Sequence, residues 1–130
     1  MQTTATGTFT IEMSAPKMVV NGQVARFGLT KSWSGDITGT GTGVMLAGGD
    51  PETGHAGYVA IEVIEGTVHG RGGTFLLQQF GDLDDGNEIL HYQVVNGSGT
   101  GELAGLRGQL DLEIDDAGVH HYELAYTLPA

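Results

Sequence analysis

Alternation of apolar and polar residues, broken at short intervals by glycine-centred turns, runs through nearly the whole chain. Phe9, Ile11 and Met13 alternate with Thr8, Thr10 and Glu12; Leu110, Leu112 and Ile114 alternate with Asp111, Glu113 and Asp115. Tyr122, Leu124, Tyr126 and Leu128 alternate with Glu123, Ala125 and Thr127. Side chains of a strand point to opposite faces in turn, so these runs are half-buried strands, whereas a helix would show a 3.6-residue period. About eight segments follow the pattern, at 4–14, 22–33, 36–47, 57–68, 73–81, 88–96, 108–115 and 119–128. Between them, Asn21-Gly22, Ser34-Gly35-Asp36, Gly48-Gly49-Asp50, Asp85-Gly86-Asn87 and Asp116-Ala117-Gly118 supply residues that tolerate positive φ. Short loops between neighbouring strands imply antiparallel pairing. The chain of 130 residues therefore reads as one all-β domain, 1–130, closed as a barrel or stacked as a sandwich.

Composition removes several functional classes. Glycine supplies 23 residues, far above the usual share of roughly 7%, but three prolines and no triplet period exclude a collagen-like chain. The absence of cysteine excludes disulfides, thiolate metal sites and a thiol nucleophile. A net charge of −11 with only five basic residues argues against nucleic acid and against an anionic membrane surface as partners. No basic and apolar leader or membrane-length apolar run is visible, so the expectation is a cytoplasmic protein.

Few motifs point to chemistry. Gly97-Ser98-Gly99-Thr100-Gly101-Glu102-Leu103-Ala104 contains G-x-G-x-x-A, but Gly105 and Gly108 deny it the helix that a dinucleotide site needs. Asp82-Leu83-Asp84-Asp85-Gly86 lacks the ligand spacing of a calcium loop. The five histidines show no ligand spacing, and no metal site is expected; His91, beside Tyr92, is the imidazole most open to a proton-transfer or substrate-binding role.

Two strands are apolar on both faces. Val59, Ile61 and Val63 oppose Tyr58, Ala60 and Ile64, while Phe75 and Leu77 oppose Leu76 and Phe80. Such strands need two covers, which points to a homo-oligomer, a dimer or trimer. Glu62 lies within the most apolar strand. If its face looks into the barrel it is a carboxylate in an apolar cavity, a candidate general acid or base; if outward, it is solvated. Period alone leaves both open. Gln78 is the second polar residue in such a strand, a candidate to orient a ligand oxygen together with Tyr92. Trp33, Tyr58, Phe75 and Tyr126 are candidate substrate-binding walls.

Four shorter segments and one long one carry a family resemblance. They are Ala5-Thr6-Gly7-Thr8-Phe9, Ser34-Gly35-Asp36-Ile37, Tyr58-Val59-Ala60-Ile61-Glu62 with Gly66-Thr67, and Gly72-Gly73-Thr74-Phe75-Leu76-Leu77-Gln78. The long one runs from Val94 to Gly108, with the core G-x-G-x-[FL]-x-G-x-x-G. Together they resemble a family of small bacterial barrels of unassigned function, related to the allene oxide cyclase barrel and more distantly to dirigent proteins. The resemblance implies a single eight-stranded antiparallel β-barrel, allene oxide cyclase-like (calycin-like), with a central cavity holding a small-molecule ligand. Relatives with this barrel use no metal or redox cofactor; they cyclise an epoxide or steer a reactive intermediate. Glu62 matches that family's strand-four glutamate and Gln78 its strand-five glutamine. Gln79 stands where many relatives carry histidine, Ala125 where the last strand often carries aspartate. Thr8, Thr10 and Glu12 occupy the strand that bears the plant cyclase carboxylate. The resulting expectation is a cofactor-independent isomerase or cyclase of a small, largely apolar metabolite, with Glu62, Gln78 and Tyr92 catalytic. The alternatives are a non-catalytic, lipocalin-like binder and a structural barrel filled by its own side chains.

Overall fold

The computed structural model describes residues 2–129. Nine strands follow in chain order: β1 Thr3–Met13, β2 Lys17–Val19, β3 Val24–Gly35, β4 Ile37–Asp50, β5 His55–Val68, β6 Arg71–Asp84, β7 Asn87–Val94, β8 Arg107–Ile114 and β9 His120–Thr127. The expected segments all appear. Single 3-10 turns at Pro51–Thr53 and Gly101–Leu103 are the one helical feature among the described residues.

Sequential neighbours pair antiparallel from β3 to β9, β9 pairs with β1, and β1 returns to β3, with Phe9 opposite Trp33. That last ladder closes eight strands into a barrel, whose thinnest seam is β7–β8, paired only at Gln93 opposite Gln109. β2 is the addition that alternation does not reveal. β1 covers one edge of β3 from Leu29 to Gly35, and β2 covers the same edge from Val24 to Arg26. Between them the Ser14 amide donates to the Gly28 carbonyl and the Gly28 amide to Ser14 Oγ. Pro16 has no amide hydrogen and interrupts the ladder here, so β2 continues β1 past a break.

Two-residue turns set the register of the longest strands. His69 and Gly70 both have positive φ (47° and 79°), as do Asp85 and Gly86 (51° and 80°), the mirror-image geometry that matches strand twist. The β5–β6 and β6–β7 ladders start at these turns, with Val68 opposite Arg71 and Asp84 opposite Asn87, while β4 and β5, joined through Pro51–Thr53, pair from Ile37 opposite Val68 to Asp50 opposite His55.

One end of the barrel is closed. The segment after β7 folds back along β6, where Thr100 Oγ1 accepts from the Thr74 amide and Ser98 Oγ from the Leu76 amide. It delivers Leu103 and Leu106, both 0% exposed, into a core shared with Ile37, Val68 and Leu124. The glycine-rich Val94–Gly108 stretch is therefore the plug of the barrel. Apolar and aromatic side chains also fill its middle.

Candidate functional site

The inward face of β3 carries Leu29, Lys31 and Trp33, all buried. A lysine in that series must find partners, because an unpaired buried charge is costly. It finds them on strands reached only by going around the barrel. Lys31 Nζ donates to Glu62 Oε1 of β5 at 2.7 Å and to the Tyr92 hydroxyl of β7 at 2.7 Å; that hydroxyl donates to Glu62 Oε1 at 2.8 Å. Lys31 is 6% exposed, Glu62 5% and Tyr92 4%. Ammonium, carboxylate and phenol thus form a closed hydrogen-bonded triangle in the interior.

Aromatic rings surround the ammonium. Nζ lies 4.5 Å from the Phe9 ring centroid, 5.2 Å from Tyr92 and 5.5 Å from Trp33, within cation–π range. Burial pulls the Lys31 pKa below its ordinary value, against the opposing pull of Glu62. Burial first, and then Glu62, pushes the Tyr92 phenol well above its ordinary value. Glu62 Oε2 and Trp33 Nε1 are buried without hydrogen-bond partners. Both crowd Gly41 of β4: a Cβ there would overlap Oε2 and come within 3.0 Å of Nε1. Glycine at 41 makes room for the Glu62 carboxylate, whose second oxygen is left without a hydrogen-bond partner.

Towards the other end of the barrel the interior opens. A depression of about 770 Å³, mostly apolar, is lined by residues including Phe27, Met45, Tyr58, Leu90 and Leu112. The triangle lies deeper on the same strand faces: Lys31 is two alternations beyond Phe27, Glu62 two beyond Tyr58, and Tyr92 one beyond Leu90. Tyr58 lies between the two levels in sequence register, and its partner Gln79 stands opposite Tyr92. Tyr58 lines the depression, accepts a hydrogen bond from Gln79 Nε2 at 2.7 Å, and lies against its cross-strand partner Gly81, where a Cβ would overlap its ring.

Residues 5–126 match the description of a protein family of unknown function, DUF3224. The chain belongs to that family. No curated protein matches it. Among solved structures it is similar to a DUF3224 protein with unknown function from Shewanella oneidensis MR-1, at 38% identity, with all of each chain covered and a TM-score of 0.89. No helix is long and apolar enough to cross a membrane among the described residues.

Within this family fold, barrel closure sorts the candidate residues. Glu62, Tyr92, Trp33 and Phe75 are buried inside, the first three around Lys31. Tyr126 is also inside but sits near the closed end, where its hydroxyl meets His69 Nδ1. Gln78 and His91 do not join the triangle. Gln78 pairs with outward Ile61, not with Glu62, and both it and His91 are exposed on the outer wall. Strand parity makes Gln79 the inward amide instead. Sequence reasoning missed Lys31 and passed over Gln79, although Leu29-x-Lys31-x-Trp33 places a lysine in an apolar period-two series, the same signal that picked out Glu62. His55, Asp84 and Asp85 cluster at an exposed turn with one potential ligand atom of each within 4.8 Å of the others, and each ring nitrogen of His55 lies 3.2 Å from a different carboxylate.

All four tyrosines, 58, 92, 122 and 126, have phenol pKa values raised first by burial. The folded chain therefore holds more protons than the unfolded chain above the ordinary phenol pKa of about 10, so stability falls as pH rises through that range. Lys31, with its lowered pKa, contributes the opposite slope, but it is one group against four. Ultraviolet titration of the native protein is expected to show phenol ionisation displaced above the ordinary midpoint, with Tyr92 the last to ionise. One equivalent titrating near the ordinary value would contradict the packing of these side chains.

Proposed function

We propose that this protein binds a small, largely apolar molecule in the open end of its barrel and acts on it by acid–base chemistry without a cofactor, as an isomerase or cyclase. The observation that carries this reading is the Lys31–Glu62–Tyr92 triangle beneath the apolar depression. A hydrophobic site of that size suits a metabolite-scale ligand. In such a site Glu62 Oε2 is the proton acceptor. Lys31 and Tyr92 hold the other oxygen and can return a proton to the opposite side of a rearranging substrate. Tyr58 and Gln79 are placed to orient a ligand oxygen on its way in, the role sequence reasoning gave to Gln78. The reaction class is suggested by the resemblance of the sequence segments quoted above to the allene oxide cyclase barrel, since ring closure of an epoxide or enone needs shape and proton transfer alone.

The test is a comparison of wild type with Glu62→Gln on a panel of apolar epoxides, enones and polyenes, with products analysed by mass and chromatography. An isomer of the substrate formed by wild type and reduced at least about 100-fold in the variant is the expected result. Ligand binding that quenches the single Trp33 equally in both proteins, with no product from either, would favour the lipocalin-like binder.

A further inference from the structure

The outer wall of β4–β7 carries a feature that the interior chemistry does not use. Leu46, Val59 and Phe80 are paired across three strands, and beside them Val44, Ile61 and Gln78 form a parallel row; Val63 extends the surface one row further. Leu46, Val59, Ile61, Val63 and Phe80 are left 38–49% exposed. None of these positions carries a carboxylate, in a chain with 16 of them and a net charge of −11. Glu65 of β5 and Asp82 of β6 stand one row beyond the patch at either end, so the acidic residues form its rim.

Size and charge together identify what covers this wall. Four strands at about 4.8 Å spacing and three rows at about 6.8 Å give a face roughly 20 Å on each side. That is a flat area of about 400 Å², the size of the apolar core of a standard interface of roughly 800 Å² per partner, which the surrounding rim completes. In an acidic chain this wall is an apolar face on which two copies can meet without opposing carboxylates, with the acidic rim left to solvent. Shape agrees. A barrel wall is convex around the barrel axis, and this one holds a dip of about 520 Å³ over Ile61 and Gln78. The convex curve of one wall can seat in the dip of the other when the two cross at a large angle, as sheets do in orthogonal packing.

We propose that the β4–β7 wall is a two-fold homodimer interface, with Ile61 near its centre and the strands of the two copies crossed. The interface braces the outer face of β5, whose inner face carries Glu62. The inference does not depend on the proposed chemistry.

Sedimentation equilibrium at micromolar concentration tests it. The wild type is expected at twice the chain mass of 13.6 kDa. Ile61→Lys puts two like charges near the axis and is expected to raise the dissociation constant at least about 100-fold, giving a monomer with an unchanged circular dichroism spectrum. Gln78→Glu, a smaller change at a position already polar, is expected to weaken the dimer in the same direction and guards against misfolding of the first variant. A monomeric wild type would overturn the proposal and leave the wall to another protein or a lipid. A trimer, or a dimer that both variants leave intact, would overturn it equally.

Discussion

Glu62→Ala is expected to lower the free energy of unfolding by about 3–5 kcal/mol, because it leaves the Lys31 ammonium buried without its counter-charge. Lys31 is 6% exposed and aromatic on most sides, so it cannot turn out to water cheaply. The paired replacement Lys31→Met with Glu62→Met is expected to recover most of that loss and can exceed the wild type, since well-packed apolar residues commonly replace a buried ion pair without penalty. Urea denaturation of the three proteins, with unchanged slopes, measures both effects. A single-variant loss below about 1 kcal/mol would show that water reaches the ammonium and that the triangle is not sealed. The same series bears on function. A doubly apolar variant that is as stable as wild type but inactive would mean the triangle is retained for its chemistry, as expected where an active site runs against stability.

The second large effect is expected at a barrel corner. Gly66 of β5 lies opposite Gly39 of β4, and a Cβ at 66 would overlap the Thr38 carbonyl oxygen and sit 2.8 Å from Gly39 Cα. Both obstacles are backbone, and neither can move without opening the β4–β5 ladder. Gly66→Ala is expected to cost about 3 kcal/mol or more. Gly57, on the same strand, provides the control: a Cβ there meets nothing closer than the Gly81 carbonyl oxygen at 3.8 Å. Gly57→Ala is expected to stay within about 0.5 kcal/mol of wild type. Thermal or urea unfolding of the two variants checks the contrast. Equal effects would mean that strand propensity, and not close approach at the corner, explains the glycines.

Much of the fold was legible before any coordinates. Alternation located the eight strands of the ring because a half-buried strand must show it, and the turn residues located their ends. β2 was not legible, since three residues beyond a proline carry no periodic signal and pair only because β3 outruns β1. The site was half legible. Glu62 stood out as a carboxylate in an apolar strand, and Tyr92 as a neighbouring aromatic. Lys31 gave the same kind of signal in a less apolar strand and was passed over. Gln78 was assigned a role that its parity with Ile61 denies, because two adjacent glutamines in a doubly apolar strand offer no local reason to prefer either.

What the sequence determined by itself is local: strand periodicity, turn geometry, the lack of thiol chemistry and the surplus of negative charge. These follow from each residue and its near neighbours. The tertiary structure alone decided which face of β5 and β6 looks inward, and that Lys31, Glu62 and Tyr92 meet. Glu62 lies 31 residues from Lys31 and 30 from Tyr92, and Lys31 and Tyr92 are 61 residues apart. They converge only because the β1–β3 ladder closes the sheet and turns one face of every strand towards a common axis. Where both faces are apolar, burial favours neither locally, and closure of the ring makes the choice.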